Sequence, residues 1–171
     1  MGIPSYFVHI VKNHNKIIKK FQKNEINIHN LYIDSNSIVY DGIRNIEYKN
    51  DNTIFENKLI KWVCDKINYY ISLISPTQKV FIAFDGVAPV AKLEQQRNRR
   101  YKSWYINDYI SINMKENNST WDTTAITPGT IFMDKLYKGI MAHFNKVKNL
   151  EIIISGSNDH GEGEHKIYKY I

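Results

Sequence analysis

The stretch VFIAFDGVAPVAKLEQQRNRRY, residues Val80 to Tyr101, joins an apolar run to a carboxylate and then to a basic, glutamine-rich segment. Val80 to Phe84 has the pattern of a short strand buried on both faces, with Asp85 at its carboxyl end. Gly86 lets the chain turn. Pro89 suits the first turn of a following helix, on which Lys92, Gln96, Arg99, Arg100 and Ser103 recur at intervals of three and four. One helix face then carries an ammonium, an amide and two guanidinium groups.

Arginine usage sharpens this reading. The 23 basic residues divide into 19 Lys and 4 Arg, and three of the four arginines are Arg97, Arg99 and Arg100. In a chain whose default base is lysine, arginine gathered on one helix points to a need for its planar fork of donors, which matches phosphate oxygens bidentately. A solvated helix face is the competing explanation of such a run, and the preceding strand and carboxylate weigh against it.

Outward from this stretch, two further apolar runs frame the chain. Leu31 to Tyr40 reads as a strand interrupted by Asp34, and Leu150 to Ile154 as a third short strand followed by Glu162 and Glu164 in a glycine-punctuated turn. A buried carboxylate needs a cation or strong donors beside it, although Asp34 could also be a turn residue and the glutamates an exposed first helical turn. Between the runs, residues 54–74 carry Ile60, Val63, Ile67, Tyr70, Ile71 and Ile74 at helical spacing, with Asn52 or Thr53 as the cap and Ser75-Pro76 as the stop. Residues 5–21 read as an amphipathic surface helix. Residues 107–124, rich in Asn, Ser and Thr, read as an exposed loop or weak helix end.

Strands alternating with helices predict an α/β fold with a parallel sheet flanked by helices, whose right-handed crossovers put all strand carboxyl ends on one edge. Ligands bind at that edge in such sheets. Asp34, Asp85, Glu162 and Glu164 all follow strand ends, so the topology predicts one acidic pocket, and hard oxygen donors without cysteine suit Mg²⁺ or Mn²⁺. The basic helix starts beside it. That pairing fits metal-assisted phosphodiester hydrolysis.

Length and composition agree with one domain of 171 residues and, at a formal charge of +6, with an anionic partner. Cys64 is the single cysteine, which fits a reducing compartment, and neither a signal peptide nor a membrane-spanning run is found. The expectation is an intracellular protein, cytoplasmic or nuclear, that is neither secreted nor membrane-bound. No GxGxxG or GxxxxGK[ST] motif supports a nucleotide-binding reading.

The segment DGVAPVAKLEQQRNRRYKS (residues 85–103), together with MGIP at the start, ITPGTIFMDKLYKGIMAHF (126–144) and GEGEHKIYKYI (161–171), resembles the XRN family of 5′→3′ exoribonucleases over essentially the whole chain, residues 1–171. The resemblance implies the amino-terminal part of a PIN/FEN-like nuclease domain. It implies catalytic metal ligands at Asp34, Asp85, Glu162 and Glu164. It also implies a 5′-phosphate pocket at Lys92, Gln96, Arg99 and Arg100, and a stacking position at Tyr40, where the family carries histidine. His165 belongs to the family motif in a local hydrogen-bonding role. Ser37 stands for a family glycine and His160 for a proline.

The implied substrate is single-stranded RNA with a 5′-monophosphate, released as mononucleotides. The family's later aspartates lie beyond Ile171, so the domain reads as truncated at its carboxyl end. Two alternatives stay open: a noncatalytic RNA-binding fragment, or half of a split nuclease completed by a polypeptide that pairs through an exposed sheet edge.

Overall fold

The computed structural model describes residues 5–17, 27–114, 120–147 and 149–171, without the side chains of residues 91, 95, 99, 103 and 107–114. Its centre is a three-stranded parallel sheet in the order β1 (Asn30–Asp34), β2 (Lys79–Ala83), β3 (Glu151–Ser155). The register aligns Asp34 with Ala83 and Ala83 with Ser155, so the three strands end flush at one edge. The apolar run of β2 is buried on both faces as its composition requires: Val80, Ile82 and Ala83 have no accessible surface, and Phe81 and Phe84 nearly none.

The two faces are covered differently. Val80, Ile82 and Phe84 pack into the main core with α3 (Asn52–Ile74) and α5 (Ile131–Phe144), through Leu59, Val63, Ile67, Met133, Leu136 and Ile140. On the opposite face α6 (Gly163–Tyr170) brings Tyr170 onto Phe81, ring centroids 4.5 Å apart and stacked, with Tyr32 tilted beside both. The crossovers run through α2 (Asn36–Asn45) and α3, and through α4 (Val90–Met114) and α5.

Several local expectations change. The segment from Leu31 is not one strand to Tyr40: β1 stops at Asp34, and Asn36 starts α2, which buries Ile38 and Val39. The β-branched content that favours a strand also serves a buried helical face once the chain has turned. Asp51 caps α3 in place of Asn52 or Thr53, accepting from the Ile54 N–H at 2.8 Å. The α3 core stripe is centred on Phe55, Leu59, Val63 and Ile67, with Ile60, Tyr70 and Ile71 at its margin.

Ser75 ends α3 in the left-handed region (φ 53°), and Thr130 caps α5. The amino-terminal helix α1 is short, Tyr6–Asn13, and buries none of its residues. Within residues 107–124, expected as an exposed loop or weak helix end, helix α4 runs as far as Met114, and Thr123–Ile126 forms a 3₁₀ turn. Residues 115–119 of that stretch, residues 18–21 of the helix expected over 5–21 and the MGIP segment lie outside the described residues.

Candidate acidic and phosphate-binding site

Because the strands end flush, the segments that leave their carboxyl ends meet at the same edge. Asp34 is the last residue of β1, Asp85 lies two residues past β2, and Glu162 is the residue from which α6 springs, with Glu164 in its first turn. All four line one cavity of about 540 Å³, together with Tyr40, Lys92, Gln96 and Arg100. The carboxylates expected at the sheet edge and three of the four expected phosphate-binding residues are thus brought together. The fourth, Arg99, has its side chain outside the described residues.

Asp85 is held by three hydrogen bonds to two partners. Asn36 Nδ2 donates to Asp85 Oδ2 at 2.7 Å, the Gly163 N–H donates to Oδ1 at 2.8 Å, and the Asp85 N–H donates to Asn36 Oδ1 at 3.1 Å. Its carboxylate therefore points into the cavity in a fixed orientation. The loops carrying it are stitched together as well: the Gly86 N–H donates to the Gly161 carbonyl at 2.8 Å and the Gly161 N–H to the Val87 carbonyl at 3.1 Å. Only glycine fits at 86, where a Cβ would stand 1.6 Å from the Asp159 carbonyl oxygen. At Gly163 a Cβ would lie 2.6 Å from the side-chain oxygen Asp34 Oδ1, which would have to move to admit it.

The charge distribution is uneven. Burial, then Asp85, with smaller contributions from Glu164 and Glu162, raises the Asp34 carboxyl above its usual range against a backbone hydrogen bond from Asn36. Glu162 is shifted the other way. Lys92 Nζ lies 2.8 Å from Glu162 Oε1 and holds that carboxyl below its usual range, and Glu162 in return lifts Lys92. Lys92, expected to face phosphate, is thus paired with one of the expected metal ligands. Burial pushes Lys166 below the usual ammonium value, opposed by Asp159 and Asp85.

The donor set fits a hard divalent cation. Four carboxylates face one cavity, and the Asp34 carboxyl, raised first by burial and then by its acidic neighbours, is one whose charged form a cation would favour. Asp34 and Asp85 line the same cavity, but among the described residues the group whose ligand atoms come within 4.8 Å of one another is Glu162, Glu164 and His165. That brings His165, expected in a local hydrogen-bonding role, next to the ligand group, with its Nδ1 3.9 Å from Glu162 Oε2.

A second, mostly apolar groove of about 720 Å³ adjoins the cavity, with Leu93, Tyr101 and Trp104 among its lining and Gln96 and Arg100 shared between the two. Sequence reasoning missed Asn36, Lys166 and the Gly163 amide. Asn36, two residues after Asp34 at a strand end, was the one with a readable signal.

A family model described as "XRN 5′-3′ exonuclease N-terminus" matches residues 1–171. The chain is 33% identical to 5′-3′ exoribonuclease 1 of Saccharomyces cerevisiae, covering all of this chain and 12% of that protein. It is 33% identical to 5′-3′ exoribonuclease 2 of Kluyveromyces lactis (all of this chain, 21% of that protein) and 30% identical to human 5′-3′ exoribonuclease 1 (all of this chain, 11% of that protein). The chain therefore spans only about a tenth to a fifth of the length of these relatives.

Proposed function

The chain belongs to the XRN 5′-3′ exonuclease family, and from that membership we propose that it supplies the acidic and phosphate-gripping part of a divalent-metal-dependent 5′→3′ exoribonuclease acting on single-stranded RNA with a 5′-monophosphate. The observation that carries this reading is the single cavity holding Asp34, Asp85, Glu162 and Glu164 together with Lys92, Gln96 and Arg100. Acidic and basic side chains share one wall-to-wall space, as a phosphodiester end and its counter-ion require.

In this reading Asp34, Asp85, Glu162 and Glu164 hold Mg²⁺ or Mn²⁺, which supplies acidification of water and neutralisation of phosphate oxygens. Gln96, Arg100 and Arg99 grip the terminal phosphate by charge-assisted hydrogen bonds. Lys92 serves the same end once released from Glu162. Tyr40, on the cavity wall, offers a flat face for the terminal base. Asn36 and Gly163 keep Asp85 aimed at the reacting phosphate.

A second reading, RNA binding without hydrolysis, draws on the Lys92–Glu162 pair, which commits one acidic ligand to an internal partner. A polypeptide that adds acidic residues would complete the site by pairing with an outer strand, β1 or β3.

The test is mononucleotide release in Mg²⁺ from labelled single-stranded RNA bearing a 5′-monophosphate or a 5′-hydroxyl, with binding measured in parallel. The proposal expects the phosphorylated RNA to bind more tightly and to be the one degraded from its 5′ end, with or without the added polypeptide. Equal binding of the two RNAs defeats the phosphate grip. Binding with no release under either condition favours the noncatalytic reading.

A further inference from the structure

Lys166 is a charged residue with almost no access to solvent, 7% exposed, and it is not among the residues lining the acidic cavity. Its Nζ donates to the Phe84 carbonyl at 2.7 Å and to the Gly156 carbonyl at 2.6 Å. Both acceptors lie one residue beyond a strand, Phe84 past β2 and Gly156 past β3. There the sheet ladder runs out: its last rung is the Phe84 N–H donating to the Ser155 carbonyl at 2.9 Å. Carbonyls left inside the protein at such a place need a donor. One ammonium supplies both, because its three N–H groups fan out from a single atom, whereas the planar fork of arginine is built for a facing pair of oxygens.

The other end of this side chain is the first turn of α6. That turn carries Glu162 and Glu164, presents the Gly163 N–H to Asp85, and lays the Gly163 main chain against Asp34. Phe84 is the residue directly before Asp85. The Lys166 stem therefore spans from the backbone that carries Glu162 and Glu164 to the backbone that aims Asp85.

We propose that Lys166 is a positioning residue for the acidic site, a splint that fixes the α6 turn bearing Glu162 and Glu164 against the strand ends bearing Asp34 and Asp85. The inference rests on reading that cavity as a divalent-cation site. It acts through the four carboxylates and touches neither ion nor substrate. Without the splint, α6 keeps its aromatic contacts through Tyr170, but its first turn is free to shift by the fraction of an ångström that separates a good ligand set from a poor one.

The experiment is Mn²⁺ titration by calorimetry of the full chain, well below the melting temperature of every variant. Lys166→Met keeps the length of the stem and removes all donors; Lys166→Gln, too short to span both carbonyls, is the second variant should the first not fold. Ile140→Val, in the core of α5 away from the site, is the control for lost stability alone. The expected result is that either Lys166 variant weakens Mn²⁺ binding about tenfold or more, a 1.4 kcal/mol effect, while Ile140→Val leaves the affinity unchanged. Wild-type affinity in the Lys166 variants, or equal weakening by Ile140→Val, overturns the proposal. If the unaltered chain takes up no Mn²⁺, the cation-site reading itself fails, and the splint has nothing to position.

Discussion

The two halves of the cavity are built on different principles. The acidic half is made by the fold: Asp34, Asp85 and the α6 turn are fixed by strand register, by main-chain hydrogen bonds and by Gly86, where a Cβ would meet backbone. The basic half hangs from one helix. Gln96 and Arg100 project from α4, whose neighbouring positions Arg97, Tyr101 and Trp104 are exposed. Positions of metal ligands tolerate errors of only a few tenths of an ångström, whereas a phosphate can be met by long side chains that adjust to it. The rigid half therefore sits in the main chain, and the adaptable half in side chains. Lys92 crosses between the halves, since it belongs to α4 and pairs with Glu162.

This contrast can be broken first by chemistry. In an assay where the wild-type site releases mononucleotides, Asp85→Ala should reduce the rate by about a thousandfold or more, the scale of losing a metal's contribution to the transition state. The readout is 5′-nucleotide release. A tenfold effect or less would mean that Asp85 is not part of the acidic machinery.

Stability gives the next largest effect. Gly86→Ala sets a methyl group against the Asp159 carbonyl, a backbone atom that cannot rotate away, and should cost about 3 kcal/mol or more. Lys102→Ala, exposed on the α4 side, should stay within about 0.5 kcal/mol. Urea denaturation measures both. Similar values for the two would erase the distinction between a fold-built half and a helix-hung half.

Arg100→Ala should weaken binding of 5′-phosphorylated RNA about tenfold while barely changing binding of the 5′-hydroxyl RNA. Its melting temperature should stay close to that of the wild type. A loss shared equally by both RNAs would make Arg100 a general backbone contact.

The smallest effect is the dependence of stability on pH. Because the folded Asp34 carboxyl is raised, its contribution is fully present below the unfolded value and is lost as pH rises through the folded one. Glu162 has the opposite sign. Held low by Lys92, it adds stability above the ordinary glutamate value that is lost as pH falls through its lowered one. Without divalent ion, thermal melts from about pH 4 upward should show a decline that Asp34→Asn removes. A decline that persists in Asp34→Asn would assign it to another group.

How far the sequence alone reaches obeys the same division. The parallel sheet, the ends of β2 and β3 and the placing of Asp34, Asp85, Glu162 and Glu164 at one edge were legible, because apolar runs and the handedness of crossovers constrain topology strongly. Asp85 was placed correctly beyond its strand. The break after Asp34 was not legible, since Ile38 and Val39 suit a buried helix face as well as a strand. The pairing of Lys92 with Glu162 joins residues 70 positions apart on different elements, and no periodicity reports such a contact. Lys166 was hidden for the same reason: as one lysine among nineteen, nothing in its type distinguishes a buried one.

The stitched loops have a kinetic side as well. The bonds between Gly86 and Gly161 and between Asp85 and Gly163 close a span of some 75 residues, and loop closure over such a length comes before any reward from the contact it makes. The acidic site is on that ground expected to take shape late, when β3 docks beside β2 and carries α6 with it. A nascent or partly unfolded chain holds its carboxylates dispersed, so the cation affinity proposed for them would arise together with the completed sheet.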